Sequence, residues 1–121
     1  MKKVARLQQG VALVEVLVAV LLFSIGILAV VGMQAFSVRA VTDAKYRADA
    51  SFLANQAIGR LWGDPTNLAS QAEADVSVPE LPNGKRTIQI NGTQAVVTIS
   101  WQLPTGDPHQ FVAAAHINVD N

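Results

Sequence analysis

The amino-acid sequence predicts an α+β protein: a long N-terminal α-helix, transmembrane in its N-terminal half, packed on a small antiparallel β-sheet head. The segment from Val11 to Val31 is apolar apart from one glutamate, one serine and one glycine, as in a membrane helix. Apolar residues then recur at helical spacing as far as Trp62. The last third alternates apolar and polar residues around Asn91-Gly92, the strongest two-residue hairpin signal.

Charge is distributed unevenly along the 121 residues. Lys2, Lys3 and Arg6 lie in the first ten residues, which contain no acid. The rest of the chain carries six basic and nine acidic residues and is therefore mildly acidic. It lacks the clustered lysine and arginine that nucleic-acid binding requires, so we expect no nucleic-acid partner. The chain has no cysteine, which excludes disulfides, thiol chemistry and thiolate metal sites.

The apolar segment is long enough to cross a membrane. As a helix, residues 11–31 would extend about 32 Å, against a bilayer core of about 30 Å. The preceding basic residues favour a cytoplasmic N-terminal end. A cleaved secretory signal is one interpretation, but the apolar run of such a signal is usually only about 7–15 residues. A plain single-pass anchor is another. It leaves Glu15 unexplained, since a carboxylate costs about 2–3 kcal/mol at mid-depth unless it snorkels to the membrane edge.

The residues around Gly10 explain the basic leader and Glu15 together. The stretch reads Gln8-Gln9-Gly10-Val11-Ala12-Leu13-Val14-Glu15-Val16-Leu17-Val18-Ala19. It resembles the class III signal of type IV pilins and pseudopilins, in which a short basic leader ends in glycine and a long apolar helix has glutamate as its fifth residue. The resemblance implies that a prepilin peptidase removes the leader, residues 1–10, and then N-methylates Val11. This chain departs from the family in starting its mature part with valine and alanine, and in having Gly32 where major pilins often carry proline.

The distance between the cleavage point and Glu15 has a physical reason. Cleavage between Gly10 and Val11 creates an ammonium group on Val11, four residues before Glu15. In a filament packed from such helices, the Glu15 carboxylate pairs with the Val11 amine of a neighbour, which offsets the desolvation of both charges. The resemblance thus implies three kinds of partner: the prepilin peptidase, the inner membrane before assembly, and other minor and major pilins contacted through the N-terminal helix.

The helix is expected to continue beyond the membrane segment, residues 11–33, into a head formed by residues 34–121. Within helix 34–62, apolar residues recur at helical spacing: Tyr46, Ala50, Leu53, Ala57 and Leu61. A Gly-Asp-Pro sequence should end this helix. We expect a connecting loop over residues 63–85 and a β-meander over residues 86–119.

The predicted hairpin fixes which face of the sheet is apolar. With Asn91 and Gly92 as its two-residue loop, residue 88 pairs with residue 95. This register brings six apolar residues to one face: Ile88, Ile90, Val97, Ile99, Trp101 and Leu103. We expect this face to form the core against the apolar stripe of the helix.

The sequence gives no indication of catalysis, a cofactor or a metal site, so we expect a protein that is not an enzyme. Glu73 and Asp75 lie two positions apart with no third ligand nearby, and a solvated loop is the favoured interpretation. His109 and His116 have no serine, cysteine or carboxylate at a suggestive spacing, and ordinary sheet-surface histidines are favoured.

The resemblance extends to one group within the family. Three segments are similar to PilV-type minor pilins of type IVa pili: residues 15–28, residues 32–34 and residues 50–57. This implies a structural subunit that is incorporated into the type IV pilus or primes its assembly, with effects on adhesion or motility. Its expected location is the inner (cytoplasmic) membrane, as a single-pass protein with its head outside the cytoplasm, and then the pilus at the cell surface. A minor pseudopilin of a type II secretion system is one alternative, and a stand-alone membrane-anchored binding module with an uncleaved N-terminus is another.

Overall fold

The computed structural model describes residues 2–118, with side chains from residue 8 onward. Its elements in chain order are helix α1 (Lys2–Gly63), a 3-10 helix (Pro65–Gln71) and strands β1 (Glu73–Val78), β2 (Gly84–Asn91), β3 (Gln94–Trp101) and β4 (His109–His116). The chain divides into two compact units, an N-terminal unit, Met1–Val41, and a C-terminal unit, Thr42–Asn121. This division lies within α1, later than the boundary expected between residues 33 and 34.

In the N-terminal unit, α1 has exposed side chains throughout its length from Gln8 to Val41. Between Val11 and Val31 its large apolar side chains are 47–71% exposed. Ser24 interrupts the apolar run, and its hydroxyl donates to the carbonyl oxygen of Val20 at 2.8 Å, so this polar group is satisfied within the helix. An apolar surface of this extent is characteristic of a segment that contacts lipid or other protein.

In the C-terminal unit, four antiparallel strands form one sheet in the order β1-β2-β3-β4. The predicted helix stripe belongs to the same hydrophobic core as the predicted sheet face. The buried members on these two surfaces are Ala50, Leu53, Ala57, Leu61, Ile88, Val97, Ile99 and Trp101. Tyr46 and Ile90 are partly buried at its edge. The α+β fold and the packing of the stripe on this sheet face are therefore confirmed.

The loop predicted over residues 63–85 is wrong, because this segment contains the 3-10 helix and strand β1. The sequence of this strand, EADVSV, alternates polar and apolar residues, but its polar residues and the flanking Ser, Asn, Gln and Pro favour a loop. Its register with β2 shifts between Glu73 and Val76, and Asp75 within that bulge has a positive φ of 47°. Only Val78 of the strand is buried, so the alternation in the sequence is not matched by an alternation in burial.

The hairpin between β2 and β3 has the predicted faces but a different register. Residue 88 pairs with Val97 instead of residue 95, and the two-residue loop is Gly92-Thr93, flanked by the pair Asn91 and Gln94. Gly92 has a φ of 61° and Thr93 does not have a positive φ, which is the pattern of a type II′ turn with glycine first. A shift of two residues leaves every side chain on its expected face.

Strand β4 follows the prediction as far as the structure describes it. Alternate residues from His109 to Ala115 are half-buried, and Ile117 beyond the strand is completely buried. His116 points to the exposed face, as expected. Val119, predicted to end the β-meander, lies outside the described residues.

One carboxylate connects β1 to both the helix and the neighbouring strand. Glu73 accepts hydrogen bonds from Arg60 Nη2 of α1 and from Arg86 Nε of β2, each at 2.7 Å. Burial alone would raise the pKa of Glu73, but the hydrogen bonds and charges of Arg86 and Arg60 outweigh it and hold the pKa below its ordinary value of 4.5. The two ion pairs therefore stabilise the C-terminal unit more when Glu73 is ionised.

Glu73→Gln should lower the melting temperature of the C-terminal unit at neutral pH. The free energy of unfolding should fall by about 1–2 kcal/mol. Most of this comes from the pair with Arg86, whose side chain is mostly buried, because the half-exposed side chain of Arg60 is screened by solvent. A depressed folded-state pKa gives stability that is present above the ordinary carboxyl pKa and disappears as the pH falls through the folded value.

Thermal melts of wild type and Glu73→Gln should therefore differ near pH 7 and converge once the pH has fallen below the lowered pKa of Glu73. Glu80→Gln is the matched control, since Glu80 lies in an exposed turn. Equal melting temperatures for wild type and Glu73→Gln near pH 7 would mean that the two ion pairs contribute nothing to folding.

Candidate processing and assembly site

The three predicted site residues, Gly10, Val11 and Glu15, lie together near the start of α1. All three are exposed, and Val11 has 67% of its surface accessible. Gly10 has open space around it, since a Cβ atom added there would meet nothing within 4 Å. Val11 and Glu15 are four residues apart and therefore lie on the same face of the helix.

Glu15 is an isolated charge on an apolar surface. Within residues 8–118 it forms no ion pair or hydrogen bond through its side chain. Leu13, Val14, Val16 and Leu17 beside it are 59–68% exposed. A carboxylate in such surroundings is costly to bring into lipid or a protein interface without an opposite charge. The structure therefore leaves Glu15 available for a cation supplied from outside the described chain.

The helix that carries these residues meets the length and composition criteria for a membrane span. One candidate span is found in the described residues, within Gln8–Gly63, and its most apolar window is entirely unburied. A helix near an N-terminus can also satisfy these criteria as a signal sequence. Length and hydropathy by themselves do not separate a membrane span from a signal sequence.

Glu73, His109 and His116 each contact other side chains of the C-terminal unit. Glu73 is paired with two arginines instead of lying in a solvated loop. The His109 ring stacks on Trp101, with centroids 5.7 Å apart, and His116 Nε2 lies 3.2 Å from Thr93 Oγ1. Within residues 2–118, no group of three or more His, Cys, Asp or Glu side chains has a metal-binding arrangement.

Sequence reasoning missed the pairing of Glu73 with Arg60 and Arg86. Each arginine is 13 residues from Glu73, and the three residues lie on three different elements. Helical i,i+4 spacing and cross-strand pairing are the usual sequence signals of an ion pair. Neither applies until β1 is recognised as a strand and paired with β2.

Residues 5–31 match the family model of the prokaryotic N-terminal methylation motif. The match includes Gly10, Val11 and Glu15 and most of the apolar helix. This motif is the type IV pilin-like prepilin signal, which is the substrate signal for prepilin peptidase and pilin assembly. No curated protein and no solved structure gives a significant match to the chain.

The motif indicates a class of protein that the N-terminal part of this chain resembles. It supports a type IV pilin-like or pseudopilin role, and such proteins are structural subunits. Together with the apolar helix it also supports anchoring in a membrane and association with a pilus. The match ends at residue 31, so the C-terminal unit lies outside it.

Proposed function

We propose that this chain is a minor type IV pilin of the PilV type, which is incorporated into the type IV pilus or primes its assembly. The observation that carries the proposal is the unpaired Glu15 on an otherwise apolar, exposed helix, four residues after the glycine–valine bond. A structural subunit needs such a surface because it packs against other helices. The role is not enzymatic, and effects on adhesion or motility would follow from the presence of the subunit in the pilus.

Maturation is proposed to begin with cleavage between Gly10 and Val11 at the cytoplasmic face, followed by N-methylation of Val11. In the structure this peptide bond lies inside α1. A helical bond must unwind locally before it can occupy an extended protease site. Glycine makes this easier, since it disfavours a helix by about 1 kcal/mol relative to alanine.

The proposed location follows from charge and length. Lys2, Lys3 and Arg6 favour a cytoplasmic N-terminal end, which places the C-terminal unit outside the cytoplasm. The chain is held in the inner membrane by the helix before assembly, and leaves it when other minor and major pilins cover the same apolar surface. The Val11 amine of one subunit then neutralises the Glu15 carboxylate of another.

A minor pseudopilin of a type II secretion system is the second candidate. The methylation motif favours it equally, because pseudopilins carry the same N-terminal signal. The neighbouring genes would distinguish the two candidates. Pilus-biogenesis genes would support the minor pilin, and a secretin–pseudopilin operon would support the minor pseudopilin. A stand-alone membrane-anchored binding module is the third candidate, and it predicts an uncleaved N-terminus.

Substitution of Glu15 tests the proposed assembly role. Glu15→Val and Glu15→Gln should both insert into the membrane normally, yet enter pili or minor-pilin complexes at about one tenth of the wild-type level or less. The glutamine variant keeps the size and polarity of the side chain. If it is not incorporated into pili or minor-pilin complexes, the negative charge of Glu15 is the property that assembly requires. The measurement is the amount of the chain in sheared pili and in detergent-extracted complexes, relative to the membrane pool.

Glu80→Gln is the control for this experiment, because it removes an exposed carboxylate from the C-terminal unit. It should assemble as the wild type does. Normal incorporation of both Glu15 variants would refute the proposed charge pairing.

A further inference from the structure

The sequence contains two asparagine–glycine pairs, Asn83-Gly84 and Asn91-Gly92. Such a pair is chemically reactive, because the backbone nitrogen of the glycine can attack the side-chain carbonyl carbon of the asparagine before it. Glycine favours this attack in two ways, since it has no side chain to shield the nitrogen and its backbone rotates more freely than that of other residues. The fold holds one pair tightly and leaves the other open, so their reactivities should differ.

The first pair is held at the start of β2. The amide of Gly84 donates to the carbonyl oxygen of Leu81 at 3.1 Å, so the nitrogen that would attack is engaged in a hydrogen bond. Gly84 is also buried, and a Cβ atom added to it would lie 2.6 Å from the carbonyl oxygen of Val78. Rotation of the Asn83-Gly84 peptide toward the asparagine side chain therefore requires this part of the C-terminal unit to open first.

The second pair lies at the tip of the β2–β3 hairpin, where both of its residues are exposed. The ladder ends at the pair of Asn91 and Gln94, and Gly92 is the first residue of the turn. Within the described residues, the Gly92 amide donates to no acceptor of the chain and the Asn91 side chain forms no hydrogen bond. A Cβ atom added to Gly92 would meet nothing within 4 Å. Both reacting groups are therefore accessible, and only the turn has to move.

We propose that Asn91 is a site of spontaneous deamidation and isomerisation. The Gly92 nitrogen attacks the Asn91 Cγ atom and loses its proton, the bond between Cγ and Nδ2 breaks, and Nδ2 leaves as ammonia with that proton. A succinimide ring remains between the two residues. Water then opens the ring at either of its carbonyl carbons, which gives aspartate or isoaspartate. Water is the one co-reactant, and no atom is oxidised or reduced.

Each product changes the tip of the hairpin in a defined way. Aspartate places a negative charge where the unmodified chain has a neutral amide. Isoaspartate directs the main chain through the side-chain carbons, which adds a backbone atom between strand and turn and disturbs the pair of Asn91 and Gln94. The next pair joins Ile90 to the completely buried Ala95. A chain with isoaspartate at this position should therefore melt at a lower temperature. This chemistry does not depend on the function proposed above.

Ageing of the purified full-length protein tests the inference. The folded wild type is incubated in mildly alkaline buffer, which favours loss of the proton from the attacking nitrogen, and is then digested with trypsin. Trypsin cuts after Lys85 and Arg86, so Asn83 and Asn91 are recovered on different peptides. Mass spectrometry detects both products, since a hydroxyl replaces an amino group, and electron-transfer fragmentation distinguishes isoaspartate from aspartate. In the folded protein, Asn91 should be modified about tenfold faster than Asn83.

Two controls separate the effect of the fold from that of the sequence. The same incubation in denaturant should modify Asn83 and Asn91 at similar rates, since glycine follows both and neither is then protected. Asn91→Gln keeps an amide on the hairpin but would have to close a larger ring, so position 91 should stay unmodified in this variant. Equal rates at Asn83 and Asn91 in the folded protein would overturn the inference. So would an unmodified Asn91 in the folded protein after a time in which the denatured chain has reacted.

Discussion

Replacing Leu53 with aspartate should unfold the C-terminal unit, whereas the same replacement at the adjacent Phe52 should leave it folded. Leu53 is 6% exposed within the core that joins helix and sheet, and Phe52 is 69% exposed on the outer side of the same helix. Aspartate at position 53 loses the apolar contacts of leucine and buries a charge without a partner. The combined cost is about 4 kcal/mol or more, a large part of the stability of a small domain.

The fluorescence of Trp101 is a suitable signal for this unfolding, because its ring is 3% exposed in the folded protein. Far-ultraviolet circular dichroism is less informative, since helix from the N-terminal unit contributes to it in both states. The emission of Leu53→Asp should resemble that of denatured wild type at room temperature, and Phe52→Asp should melt close to wild type. Equal melting temperatures for the two variants would mean that the apolar stripe of the helix, which includes Leu53, faces a partner subunit and not the sheet.

Replacing Gly10 with leucine should abolish removal of the leader. The resemblance to prepilins places glycine immediately before the cut, and a leucine side chain both occupies the site of the peptidase and strengthens the helix that must unwind. The variant should accumulate in the membrane at its full length. Gly32→Leu is the matched control, because position 32 also lies in α1 with open space around it. Its leader should be removed normally, and removal of the leader from Gly10→Leu would contradict the cleavage point.

The candidate site could be predicted because its residues lie close together in the sequence. Gly10, Val11 and Glu15 are defined by spacing along one helix, and a helical spacing in sequence becomes a spatial arrangement without any tertiary contact. The helix stripe around Leu53 was predictable for the same reason. The apolar sheet face was also predictable, since a register error of two residues does not move a side chain to the other face.

The features that were missed depend on contacts between distant residues. Strand β1 is short, mostly exposed and bulged, so its pairing with β2 identifies it more clearly than its sequence does. The ion pairs of Glu73 join three elements and become visible only when that pairing is known. The exact turn between β2 and β3 depends on which position takes a positive φ, and Gly92 adopts it as the first loop residue instead of the second.

The intact mass of the protein extracted from membranes of its own host shows whether the proposed cleavage and methylation take place. We expect a chain that starts at Val11, lacks residues 1–10 and carries one added methyl group on its N-terminal nitrogen. The Gly10→Leu protein, extracted in the same way, should retain its leader and carry no methyl group on Val11. A wild-type chain that still contains residues 1–10, or one that is cut beyond Val31, would contradict the pilin-like function proposed for this protein.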